Sequence, residues 1–164
     1  MSDFKKIMVA VAFSPYTEGI FQYAARLASS LNTDLVITNI INKRDVSAIK
    51  RLVQLGYEVD SNHYIRGMKE ERQQILNQLL QNNDIDPEKI KIIFKVGNPV
   101  RDLLDVGIAE NVDMIIMGIK ARTGLEHILI GSVAEKVFRR SPITVVSYRE
   151  ENLAKRMRKR LKNK

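Results

Sequence analysis

"DMIIMGIKARTGLEHILIGSVAEKVFRR", Asp113 to Arg140, decides how the rest of the chain is read. Its opening residues are an unbroken apolar run without polar alternation, the pattern of a strand buried on both faces. Three glycines follow, Gly118, Gly124 and Gly131, and the stretch closes on "SVAEKVFRR", whose spacing predicts a helix. Ser132 and Glu135, three residues apart, read as a capping box at its start. A doubly buried strand that passes through a glycine-rich loop into a helix belongs to a parallel sheet.

The same alternation runs through the flanking sequence. "KKIMVAVAF" reads as a first strand. Ser14 as cap and Pro15 at the first helical position then start a helix that carries Ile20, Ala24, Leu27, Ala28 and Leu31 on one face. Leu35 to Ile41 is the second strand, followed by helical patterns in "RDVSAIKRLVQLGY" and in "SNHYIRGMKEERQQILNQLLQNN". "KIKIIFKVG" is the third strand, and Pro99 to about Glu110 is a helix with Val100, Leu103, Leu104 and Ile108 facing inward. "DMIIMG" and "ITVVSYR" are strands four and five. The expected fold is α/β: a single doubly wound, five-stranded parallel sheet with helices on both faces, spanning residues 1–148. Residues 149–164 are a basic C-terminal tail.

Composition narrows the possibilities further. The chain has 164 residues, 45% hydrophobic and 28% charged, enough for one domain with a sizeable core. It has no cysteine, which removes disulfides, zinc–thiolate sites and thiol chemistry. No apolar run approaches the roughly 18 residues of a membrane span, and the N-terminal apolar stretch suits a buried strand better than a signal peptide. A cytoplasmic setting is the expectation. The net charge of +8 is unevenly placed, because "ENLAKRMRKRLKNK" at 151–164 holds seven Lys/Arg against one Glu. Leu153, Met157 and Leu161 recur in it every four residues. That pattern suits either a short basic amphipathic helix facing an anionic partner or a solvated, frayed extension.

Ligands of open parallel sheets gather beyond the carboxyl ends of the strands. Gly118 ends strand four, and Gly131 precedes the last helix, whose unpaired N–H groups and dipole favour an anion. Lys120 and Arg122 add positive charge inside the loop. The loop is neither G-x-x-x-x-G-K-[S/T] nor G-x-G-x-x-G, so spacing alone leaves open a phosphate cradle and an ordinary glycine-rich connection. No catalytic set emerges elsewhere. His63 and His127 lie far apart, no nucleophile-elbow spacing exists, and Asp84 and Asp86 lack the spacing of a calcium loop.

The stretch from Met117 to Tyr148 resembles the C-terminal signature of the universal stress protein family, whose nucleotide-binding members carry G-x2-G-x9-G-[S/T]. "KKIMVAVAFSPYTEGIFQYAARLASSLNTDLVITNII" is similar to the family's first strand, helix and second strand, and "VGNPVRDLLDVGIAENVDMIIMG" to its third strand through fourth. The pattern's first glycine falls on Gly118 and its last pair on Gly131 and Ser132, while the middle glycine is replaced by Ala121. The family's Pro-x-Asp at the end of strand one is here Ala10 and Ala12, so that carboxylate is absent. Ile40 matches an apolar position that packs on adenine in nucleotide-binding members.

The resemblance implies a homodimer joined through the last strand and ATP or a related adenine nucleotide, with Mg2+, at the ends of strands one and four. The residues it assigns are Ile40 at the base, Gly118 and Gly131 for backbone approach, and Ser132 and the Val133 N–H at the phosphates; Met117 is spaced as core or pocket lining and joins the candidate site with the loop charges Lys120 and Arg122. It implies a regulatory module in stress response and not an enzyme. The alternative is a nucleotide-independent interaction protein that works through its dimer surface and basic tail.

Overall fold

The computed structural model describes residues 4–56, 60–83, 85–119 and 130–162. Five strands form one parallel sheet: β1 (Lys6–Ala10), β2 (Asp34–Asn42), β3 (Ile90–Gly97), β4 (Met114–Gly118) and β5 (Thr144–Tyr148). Their order is β3-β2-β1-β4-β5, a Rossmann-like arrangement. The helices are α1 (Thr17–Leu31), α2 (Lys43–Gln54), α3 (Ser61–Gln81), α4 (Pro99–Ala109), α5 (Ser132–Arg140) and α6 (Glu151–Lys162).

The period of two along each strand separates two cores. Ile7, Val9, Leu35, Ile37 and Ile116 face α1 and α3, where Ile20, Phe21, Ala24, Ala28, Leu76 and Leu79 meet them. Met8, Val36, Ile115 and Met117 face α4 and α5, against Val100, Leu103, Leu104, Ala134 and Val137. Both faces of β1 and β4 are thus covered, which is why their sequences lack polar alternation. The helices that follow β1 and β4 lie on opposite faces. The strand order therefore switches direction between β1 and β4, and a crevice opens there at the carboxyl edge.

Three local expectations are corrected. α1 begins at Thr17, because Phe13 (φ 49°) turns the chain in the left-handed region and Ser14 to Tyr16 form a separate turn. The Ser14 carbonyl accepts from Thr17 N at 3.0 Å and its Oγ from Tyr16 N at 3.3 Å, so Ser14 closes that turn instead of capping the helix. α5 has Gly131 as its N-cap, with no side-chain cap bond, so Ser132 is the first helical residue and the expected capping box is absent. Glu135 lies 3.7 Å from Arg139 instead. Ile108 is 55% exposed, since the last turn of α4 buries Val106 and Gly107.

Two carboxylates tie the framework together. Asp113 accepts from the backbone N–H groups of Lys5 and Lys6 at 2.8 and 2.9 Å, which fixes the start of β4 to the start of β1. Asp102 accepts from Asn98 N at 2.6 Å and pairs with Lys95 Nζ at 2.7 Å, while Asn98 caps α4 by accepting from Val100 and Arg101. These contacts hold both carboxyls below the usual carboxylate range: the backbone bonds for Asp113, the Lys95 hydrogen bond for Asp102. The folded chain then binds fewer protons than the unfolded one, so stability rises with pH across their titration. The contribution is complete above about pH 3.9 and is lost as pH falls through the lower folded values. Thermal melts between pH 6 and pH 2.5 should show the loss, and Asp113→Asn should flatten its slope.

Candidate functional site

The floor of the crevice is set by register. Ala10 stands opposite Thr38 on one side and Met117 on the other, so these three side chains form a row on the α4/α5 face near the strand ends. Met117 is buried, Ala10 half-buried, and Ile40, two residues further along β2, half-buried. Within this apolar row Thr38 is only 1% exposed, and its hydroxyl finds no hydrogen-bond partner among the described residues. Buried hydroxyls are normally satisfied, and the Thr17 hydroxyl at the start of α1 is likewise without a partner among the described residues.

The wall is the start of α5. Gly131 N donates to Ile119 O at 2.8 Å, which closes the connection leaving β4 and brings the helix start back beside the strand end. Gly131 has φ −60° and ψ 144°, an ordinary extended conformation, so positive φ is not what selects glycine there. A Cβ on Gly131 would lie 3.2 Å from the Ile119 carbonyl oxygen, a close approach that requires the neighbour to give slightly. The first N–H groups of α5 have no partner within their helix, and the cap residue offers no side chain to them. Asn98 and Asp60, by contrast, cap α4 and α3 with their side chains. Ser132 and Val133 are exposed at this helix start, where an anion could accept from the backbone.

The structure thus brings Ile40, Met117, Gly118, Gly131, Ser132 and Val133 to one end of the sheet, around the switch between β1 and β4. Lys120, Arg122 and Ala121 lie outside the described residues, as does His127. His63 is exposed on α3, beside Arg66. Among the described residues, no group of three or more His, Asp or Glu side chains is placed to hold a metal ion.

Sequence reasoning missed a polar network on the other side of the β1 exit. Asn39, 4% exposed, donates through Nδ2 to Val11 O and accepts through Oδ1 from Arg72 Nη1, both at 2.7 Å. The amide orientation is dictated by its partners, since a carbonyl can only accept and a guanidinium can only donate. The Arg72 guanidinium lies 5.1 Å from the centre of the Phe13 ring, which stacks on Phe94 at 6.4 Å. An asparagine inside "VITNII" was the available signal; Arg72, in a charged helix, carried none.

On the α1 side, α6 closes the neighbourhood of Gly118. Leu153 is buried, and it shares a small cleft with Tyr16, Ile20, Gly118, Ile119 and Tyr148. The outer turns of α6 are exposed, with Leu161 at 75% and its lysines and arginines in solvent.

The family model for the universal stress protein family matches residues 3–149. A universal stress protein of Methanocaldococcus jannaschii is 26% identical over 153 residues, covering 87% of this chain and 94% of that protein. A protein of Staphylococcus aureus bearing the same family name is 27% identical over 158 residues, covering 93% and 89%. A solved structure of the same archaeal protein superposes with a TM-score of 0.71 at 23% identity, covering 92% of this chain and 99% of that one. A solved universal stress protein in complex with cAMP superposes with a TM-score of 0.60 at 20% identity, covering 90% and 98%.

Proposed function

The chain belongs to the universal stress protein family, and we propose that it is an adenine-nucleotide-binding regulatory module of the stress response. The observation that carries this reading is the start of α5. An uncapped helix N-terminus is held at the β1/β4 switch by the Gly131–Ile119 bond, above an apolar floor with one orphan hydroxyl. The phosphate chain of ATP or a related adenine nucleotide would accept from the N–H groups of Ser132 and Val133. The base would rest on Ile40 and Met117, and the Thr38 hydroxyl would bond a polar atom of the nucleoside. Gly118 and Gly131 would let the backbone approach. Lys120 and Arg122 would add charge from the loop between them.

Mg2+ would arrive on phosphate oxygens, since the described residues offer no carboxylate set of their own. Among the described residues the crevice brings no general base to the phosphates, and the nucleotide would act as a signal with little turnover. A universal stress protein solved with cAMP supports a nucleotide of this class. The setting proposed is the cytoplasm; no helix among the described residues is long and apolar enough to cross a membrane.

Assembly as a homodimer would use β5, an edge strand whose Val145 and Val146 are only half-buried. One observation favours a second, nucleotide-independent reading. α6 is a basic helix anchored by Leu153, and it could carry interactions with an anionic partner without any ligand in the crevice. Calorimetric titration of nucleotide-stripped protein with Mg·ATP, ADP and AMP separates the two. Saturable micromolar heat is expected; folded protein that takes up none of the three would favour the second reading.

A further inference from the structure

The Arg72 network has no part in the contacts assigned so far, yet it stands at the same rim. Asn39 and Ile40 are neighbours on β2 and point to opposite faces, so the guanidinium and the apolar floor flank one strand end. Above them the chain leaves β1 through Ala12, exposed and no larger than a methyl. A ligand lying over Ala12 can touch both sides.

Arg72 is arranged to receive something. Its guanidinium is held in direction by Asn39, itself fixed on Val11 O, and in plane by the Phe13 ring. Only Nη1 is engaged in a hydrogen bond among the described residues, while a guanidinium has five N–H donors. Among the described residues no carboxylate lies within ion-pair distance of it. Asp45, Glu71 and Tyr64 are near enough to favour its charge, but burial outweighs them and lowers its proton affinity. Phe13, which supports the ring face, sits at φ 49°, a conformation an aromatic residue seldom adopts. A half-buried, oriented guanidinium without an ion-pair partner among the described residues, at the rim of the proposed site, matches a phosphate oxygen pair.

We propose that Arg72 binds a second phosphate of the ligand, so that the crevice takes an adenine nucleotide carrying a phosphate on its ribose as well as the one held at α5. This rests on the nucleotide reading above. The absence of a carboxylate at Ala12 fits it, because a negative side chain there would repel such a group.

The test is calorimetric titration of the full chain with AMP, adenosine 2′,5′-bisphosphate and adenosine 3′,5′-bisphosphate, in wild type and in Arg72→Gln. At least one bisphosphate should bind wild type about tenfold or more tighter than AMP. In Arg72→Gln, which keeps a donor for Asn39, the ratio of the two affinities should fall to about one. Bisphosphates no tighter than AMP, or an advantage that survives Arg72→Gln, would overturn this inference and leave the nucleotide reading intact. Failure of all three ligands to bind folded protein that still takes up Mg·ATP would overturn this inference alone, and failure of Mg·ATP as well would overturn both. Should Arg72→Gln not fold, Arg72→Lys carries the test: an ammonium cannot reproduce the planar fork, so the advantage should fall by about threefold or more. An unchanged advantage there overturns the inference.

Discussion

Gly131→Asp should abolish nucleotide binding, weakening it by at least about a hundredfold, while leaving the fold almost as stable as before. The two effects have different origins. Aspartate is a better N-cap than glycine by a few tenths of a kcal/mol, and its carboxylate would take up the free N–H groups at the start of α5. Against that gain stands the approach of a Cβ to within 3.2 Å of Ile119 O, which requires the loop end to give slightly. The net change in stability is therefore small. Binding would suffer twice, because the donors proposed for phosphate would be occupied and a negative charge would stand where phosphate is proposed to sit. Calorimetry with Mg·ATP reads the first effect and urea unfolding the second. Retained affinity would remove α5 from the site, and a grossly destabilised variant would show that the close approach, not the cap, governs this position.

Phe21→Ala should be the most damaging single truncation in the core, costing about 3–5 kcal/mol. Phe21 is fully buried on α1 beside Ile20, Ala24 and Ala25, within the core that also holds Ile7, Val9, Ile37 and Ile116. The alanines bring α1 close to the sheet, so little can move in to fill the space a phenyl ring leaves. For a chain of this size the loss corresponds to a drop in Tm of roughly 6–20 °C. Urea unfolding and a thermal scan measure it directly. A change below about 1 kcal/mol would mean that α1 relaxes onto the sheet, contrary to this packing.

The fold was legible because its strands are buried on both faces. "DMIIMG" and "KKIMVAVAF" announce doubly covered strands by their lack of alternation, and the glycine and proline punctuation places the helices between them. Helix starts were less legible. "IGS" fits Gly131 or Ser132 as cap equally well, and the choice was made by the Gly131–Ile119 bond, a contact across the loop that no local pattern encodes. Ser14 was misjudged in the same way, because the turn at Phe13 uses up the residues that would otherwise have begun α1.

Within the candidate site, Ile40, Gly118 and Gly131 are expected from the pattern shared with the family, and the structure brings them to one end of the sheet. Thr38 and the Asn39–Arg72 pair could not be expected from it. Thr38 becomes an orphan only through its register opposite Ala10, and Arg72 reaches Asn39 across 33 residues of sequence. Ala12 was noticed only as a missing carboxylate. It follows Val11, whose carbonyl oxygen holds the Asn39 that Arg72 bonds.

The central claim is that the start of α5 holds the phosphates of a nucleotide, and amide resonances read it most directly. In a titration of isotope-labelled protein with Mg·ATP, the backbone amides of Gly131, Ser132 and Val133 should shift most and saturate together with the calorimetric heat. Saturating heat with these three amides unmoved would contradict the account and place the ligand elsewhere on the chain.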